Sequence, residues 1–295
     1  MKLATFRYQN RVSWGVVTDR GVIDAGSALG DRFPTLRDAL AGQALDEVKA
    51  VAAAGKNAIA LDDVSFLPVI PNPDKIICAG VNYEEHRIET NRERTEKPTI
   101  FLRLPASQIG HGSAILRPPE SVEFDYEGEI AVIIGKPGRR IAPEDAWSHI
   151  AGYAPYNDAS IRDWQRHAGQ WASGKNFPAT GAFGPWMVTR DEIADGEELT
   201  LETRLNGKIM QKATTAMMIF DIPRLIEYAS TFTPLLPGDV IATGTPGGVG
   251  VKRNPQVFMK AGDRVEVEIT GLGKLVNFVE DEAVAPAGDH VQSPA

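Results

Sequence analysis

Between Glu123 and Gly135 the chain reads EFDYEGEIAVIIG. In an extended strand successive side chains point to opposite faces, so Glu127 and Glu129 share a face with Ala131 and Ile133, while Tyr126, Ile130, Val132 and Ile134 form the other. Both rows are apolar further on, which predicts a strand buried on both sides and two carboxylates led toward the interior. A carboxylate ionised there without a partner costs several kcal/mol, and two at strand spacing repel one another. Positive charge must therefore reach them, either from arginines at an open strand end or from a metal ion. Asp158, in GYAPYNDASIRDWQ, offers a third carboxylate, or else the N-cap of a helix over Ser160–Gln165. Three carboxylates with no His or Cys in these segments suit a hard cation, Mg²⁺ or Mn²⁺, with water or substrate oxygens completing its shell.

Acid–base chemistry has one candidate pair. In CAGVNYEEHRIE, residues 78–89, His86 and Glu89 are three apart, so a helix puts them on one face and the carboxylate can orient the imidazole and raise its basicity. The other reading is a solvated charged helix. The polar stretch Thr90–Lys97 that follows has the composition of a lid. Two glycine-rich pieces remain. In SGKNFPATGAFGP, Lys175 is either an oxyanion-stabilising cation or a surface residue. In GDVIATGTPGGVG, Thr245 offers an amide and a hydroxyl to a small anion, or the segment is a hairpin turn. It is not a phosphate loop, because no Gly-Lys-Ser/Thr follows.

These residues need elements to hold them. KLATFRY, RVSWGVVTD and VIDAG alternate apolar and polar positions and predict a small antiparallel sheet; Thr35 then caps a helix over LRDALAG, and DEVKAVAAAG forms a second that ends at a glycine. This gives a β/α module over residues 1–70. Three prolines in LPVIPNPD mark a boundary before a larger domain over residues 75–282. That domain is rich in short β-branched runs, with helical patterns chiefly at 143–150 and 222–231, so the fold class is α+β and mostly β, a sandwich or barrel with helices outside. Residues 283–295 read as a flexible tail.

With 295 residues, a net charge of −8 and pI ≈ 5.3, the chain has the wrong sign for phosphate backbones or anionic lipids, so neither nucleic acid nor membrane is expected as a partner. Its one cysteine, Cys78, forms no internal disulfide, and no run is long enough for a signal peptide or a membrane span; a cytoplasmic protein is expected.

The ordered series CAGVNYEEH, FDYEGEIAVIIG, GYAPYNDASIRDWQ, SGKNF, MIFDIPRLI and GDVIATGTPGGVG resembles the fumarylacetoacetate hydrolase family, over about Lys75 to Asp281. The resemblance implies a mixed β-sandwich roll, usually assembled as a homodimer, behind a variable N-terminal module of longer bacterial members. It assigns the divalent cation to Glu127, Glu129 and Asp158, the water-activating dyad to His86 and Glu89, a catalytic lysine to Lys175, and substrate contacts to Gln165 and Thr245, with Tyr83 and Arg162 grouped among them. Val81 stands where the mammalian acylpyruvase branch carries arginine, so that branch's substrate does not transfer.

The expected activity is hydrolysis of the C–C bond of an acylpyruvate, such as fumarylpyruvate or maleylpyruvate, to pyruvate and a carboxylic acid in aromatic catabolism. The cation would chelate the 1-carboxylate and 2-oxo oxygens, His86 would activate water, and Lys175 would steady the oxyanion. The same site would alternatively serve oxaloacetate decarboxylation, 2-hydroxydienoate isomerisation or dehydration of sugar-derived 2-oxo acids, though His86 and Glu89 together favour water activation over simple tautomerisation. A binder of 2-oxo acids without catalysis is the reading from a different class, and product formation separates the two.

Overall fold

A computed structural model describes residues 1–55 and 57–283. Its first strands, Lys2–Tyr8, Arg11–Thr18 and Gly21–Asp24, form the antiparallel sheet that the alternation predicts. Gln9 and Asn10 turn the first hairpin with φ of 46° and 61°, the left-handed pair that matches the twist of the flanking strands. Thr35 caps the helix Leu36–Ala41 in a reciprocal box: the Asp38 amide donates to the threonine hydroxyl and the Thr35 amide to the Asp38 carboxylate. The second helix, Leu45–Ala54, stops at Gly55.

Two sheets dominate. The larger runs, in spatial order, Gly21–Asp24, Arg11–Thr18, Lys2–Tyr8, Met187–Thr189, Ile150–Asp158, Gly128–Ile134, Val240–Ala242, Ile76–Gly80 and Thr99–Arg103. The smaller runs Lys208–Thr214, Thr200–Leu205, Arg264–Ile269, Gly273–Asp281 and Ala114–Arg117. Lys2 pairs with Val188, so the N-terminal strands continue the sheet of the larger region. The segment at 143–150 forms a 3₁₀ helix, Pro143–His149, rather than an α-helix: no side chain caps its start, and the strand from Ile150 begins at the next residue. Helix Ile222–Phe232 forms as its spacing predicts, capped by Asp221. The tail read from residue 283 lies, beyond Ala283, outside the described residues. No helix among them is long and apolar enough to cross a membrane.

Gly128–Ile134 is buried at every position because each of its faces has a partner. Ile130, Val132 and Ile134 pack in one apolar cluster with Leu201, Val267 and Leu275 of the smaller sheet. Ala131 and Ile133 pack in another with Leu36, Leu40 and Val48 of the N-terminal helices. Ile133 is fully buried, so Ile133→Ala is expected to cost about 2–5 kcal/mol in urea unfolding, the usual loss for a buried isoleucine. A cost below 1 kcal/mol would mean that the N-terminal helices barely pack on this face.

Candidate active site

The topology brings the singled-out segments to one end of the central strands. Gly128–Ile134 starts there, and Ile150–Asp158, Val240–Ala242 and Ile76–Gly80 finish there, since Gly128 pairs with Asn157, Ala131 with Ala242, and Ala242 with Cys78. Glu127, Glu129, Asp158, Thr245 and the helix that carries His86 are therefore neighbours despite their distance in sequence.

Glu127, Glu129 and Asp158 are buried, and each offers an oxygen within 4.8 Å of the others. Lys175 Nζ, itself buried, donates to Glu127 at 2.7 Å and to Asp158 at 2.6 Å. The second Glu127 oxygen takes Arg162 at 2.6 Å, and the second Asp158 oxygen takes Arg103 at 2.5 Å. Among the described residues Glu129 receives only the amide of Gly244, at 2.9 Å. The two glutamates are thus pushed apart in basicity. Burial alone would raise the Glu127 carboxyl, but Lys175 and Arg162 outweigh it and hold the group well below its ordinary value. Burial, reinforced by Asp158 and Glu127, drives Glu129 well above its own. Burial would likewise depress the Lys175 ammonium, yet Asp158 and Glu127 keep it raised.

This arrangement fits a divalent cation. The donors are all carboxylate oxygens, and Glu129, buried beside two other carboxylates, has the Gly244 amide and no cation within ion-pair distance among the described residues. Asp158 caps no helix, its carboxylate being used by Lys175 and Arg103. Lys175 is not a surface residue; its ammonium bridges two of the three carboxylates.

His86 is buried on the helix Glu84–Glu89, and its Nδ1 lies 2.7 Å from Glu89, whose other oxygen accepts the Gly248 amide at 2.9 Å. The pair is a dyad fixed from behind, which leaves Nε2 for chemistry. The helix is anchored by Asn82, which donates to the carbonyls of Phe220 and Thr243 and accepts the Phe220 amide. Val81 makes the bend into this helix at φ 54°, a strained conformation for a β-branched residue, costing on the order of 1–3 kcal/mol.

A cavity of about 360 Å³ opens over these groups, lined by His86, Glu127, Glu129, Arg162, Gln165 and Lys175 among others. Thr245 also lines it, with its hydroxyl committed inward: it donates to the Gly128 carbonyl and accepts from Gln211. Gln165 accepts from Arg162, while the remaining terminal nitrogen of Arg162 is buried without a partner. Tyr83 is buried outside the cavity lining, and its hydroxyl has no hydrogen-bond partner. Arg103, Asp125 and Gln211 escape a reading of the sequence. Arg103 anchors Asp158 and Thr180, and Asp125 receives Arg162 together with the amides of Gly250 and Val251. The one local hint was a cation closing the apolar strand Thr99–Arg103.

Residues 75–280 match the model of the fumarylacetoacetate (FAA) hydrolase C-terminal domain. The chain belongs to this family. Among its relatives in the fumarylacetoacetate hydrolase family, a mitochondrial oxaloacetate tautomerase of Bos taurus is 44% identical over 219 residues, 74% of this chain and 70% of that one. An oxaloacetate tautomerase of Bacillus subtilis strain 168 is 42% identical over 224 residues, 74% of each chain. The crystal structure of maleylpyruvate hydrolase from Sphingobium sp. SYK-6, with manganese(II) and pyruvate, superposes with a TM-score of 0.80 at 29% identity, covering 96% of this chain and all of that one. Family membership makes this chain a metal-dependent enzyme whose three buried carboxylates can hold a divalent cation.

Proposed function

We propose that the chain interconverts the keto and enol forms of a 2-oxo dicarboxylic acid of the oxaloacetate class. The observation that carries this reading is the His86–Glu89 dyad standing in one cavity with the three-carboxylate site, in a chain 44% identical to an oxaloacetate tautomerase. Hydrolysis, the sequence-based first choice, takes second place because the more similar relatives are tautomerases.

When bound, Mg²⁺ or Mn²⁺ withdraws charge from the 2-oxo oxygen and makes the C3 protons acidic. The chain's own residues then do the proton work. His86 Nε2 takes a C3 proton while Glu89 holds Nδ1–H and stabilises the imidazolium. The C–H electron pair becomes the C2–C3 double bond, and the proton returns from His86 to the C2 oxygen to complete the enol. Arg162, whose guanidinium is held by Gln165, lines the cavity and would supply positive charge to the 1-carboxylate. Lys175 fixes Glu127 and Asp158 and adds positive charge beside the developing oxyanion. Tyr83 and Thr245 act by packing and backbone positioning around this group.

The test is loss of oxaloacetate enol absorbance with Mg²⁺, with Mn²⁺ and after EDTA, run beside pyruvate detection from oxaloacetate and from a panel of acylpyruvates. Metal-dependent enol decay without pyruvate is the expected outcome. Pyruvate released from acylpyruvates would restore hydrolysis, which the likeness to maleylpyruvate hydrolase favours; pyruvate from oxaloacetate would mean decarboxylation. The proposed assembly is a cytoplasmic homodimer. It is supported by Leu102 and Leu104, 51% and 58% exposed on and beside the outermost strand of the larger sheet, and by a lone buried cysteine. Light scattering checks the dimer.

A further inference from the structure

The cavity holds more positive charge than its carboxylates consume. Arg162 and Lys175 are committed to Asp125, Glu127 and Asp158, and Arg166 to Glu123. Arg92 and Lys252 line the same cavity, both exposed, so they stand at its outer end above the buried carboxylates. Among the described residues neither is within ion-pair distance of a carboxylate.

Arg92 is nevertheless seated. Its guanidinium lies 5.4 Å from the centroid of the Trp171 ring. Trp171 meets Phe101 edge-on at 5.5 Å, and Phe101 carries the Lys175 ammonium over its face at 4.8 Å. Gly80 makes room for this stack, since a Cβ there would lie 2.3 Å from the Trp171 ring. Lys252 comes from another wall, two residues after the Gly250 amide that binds Asp125. An aromatic series thus links the inner cation, Lys175, to the outer one, Arg92.

We propose that Arg92, seated on Trp171, and Lys252 bind the far carboxylate of the substrate and so select a 2-oxo acid with a second carboxylate over one without. This assignment rests on the 2-oxo acid reading of the inner site. A dicarboxylate held inside by its first carboxylate and 2-oxo oxygen presents the second one outward, where arginine meets it with a planar pair of donors. Stacking on Trp171 restricts the arginine before the ligand arrives, so less side-chain freedom is lost on binding.

The test uses unreactive four-carbon ligands. Mg²⁺-loaded wild type, Arg92→Met and Lys252→Met are titrated calorimetrically with malate and with 2-hydroxybutanoate, which lacks the second carboxylate. Lys97→Met, an exposed cation of the same segment outside the cavity, controls for general charge. Arg92→Met is expected to cut the preference for malate about tenfold and Lys252→Met by a smaller factor, with 2-hydroxybutanoate affinity and the Lys97 variant unchanged. A preference unaltered in both variants, or one that falls equally in Lys97→Met, would overturn the assignment. If wild type prefers malate through Arg92 yet enolises no 2-oxo acid, the proposed reaction fails and this assignment stands. Enolisation of oxaloacetate with an unaltered preference gives the reverse.

Discussion

His86→Ala is expected to lower turnover by a factor on the order of 10²–10⁴ while leaving Mn²⁺ affinity close to wild type. The separation follows from the geometry. His86 is held by Glu89, which is held in turn by the Gly248 amide, whereas the candidate cation ligands are held by Lys175, Arg162, Arg103 and the Gly244 amide. The two sets share a cavity and no hydrogen bond. Glu89→Gln should fall between wild type and His86→Ala, because an amide still reaches Nδ1 but no longer stabilises the imidazolium. Turnover measured under saturating Mn²⁺, with metal titration alongside, makes the comparison. Wild-type turnover in His86→Ala would move the base elsewhere; a parallel loss of metal affinity would mean that His86 belongs with the cation ligands.

Lys175→Met is expected to destabilise the metal-free protein by about 3–5 kcal/mol, the usual result of removing one partner from a buried ion pair. Lys175 is the only residue that donates to both Glu127 and Asp158 among the described residues; without it Glu127 keeps Arg162 and Asp158 keeps Arg103, but the three buried carboxylates lose the one positive charge that lies between two of them. Added Mn²⁺ should therefore stabilise the variant more than it stabilises wild type. Urea unfolding with EDTA and with excess Mn²⁺, on both proteins, gives the four free energies required. Equal metal increments in the two would show that the ammonium and the cation do not compensate the same charge. Turnover should fall in Lys175→Met even when metal is saturating, since the oxyanion loses its neighbouring cation.

The carboxylates were legible because strand periodicity and the cost of burying charge both act locally. Glu127 and Glu129 had to share a face, and an apolar strand had to carry them inward. The sequence posed arginine pairing and metal ligation as alternatives, and the structure distributes them: Glu127 has Arg162 and Lys175, while Glu129 has neither. Spacing on a helix also sufficed for His86 and Glu89, and a capping pair for Thr35. What stayed hidden is long-range. Arg103 reaches Asp158 from a strand at the far edge of the sheet, and Asn82 locks to Phe220 and Thr243 across the fold, contacts with no periodic signature. Lys175 illustrates the limit: its residue type was informative, but only tertiary packing shows that its ammonium lies between two carboxylates. The second buried face of Gly128–Ile134 was read correctly, though the N-terminal helices that cover it had no sequence mark of doing so.

The pairing of Lys2 with Val188 bears on how the protein is made. Strand Lys2–Tyr8 finds Arg11–Thr18 within one hairpin, and Phe6 and Arg7 on its other edge meet Ser65–Phe66 soon after, but the Lys2–Leu3 end of that edge meets Met187–Thr189 only after most of the chain has left the ribosome. Until then that end of the strand exposes unpaired amides and carbonyls, a template for the wrong neighbour. Closing so long a loop is slow, because its entropy is lost before the contact rewards it. Yield in a cell should thus track the time this edge stands open, and with it translation speed, temperature and chaperone supply, more closely than it tracks the stability of the finished molecule.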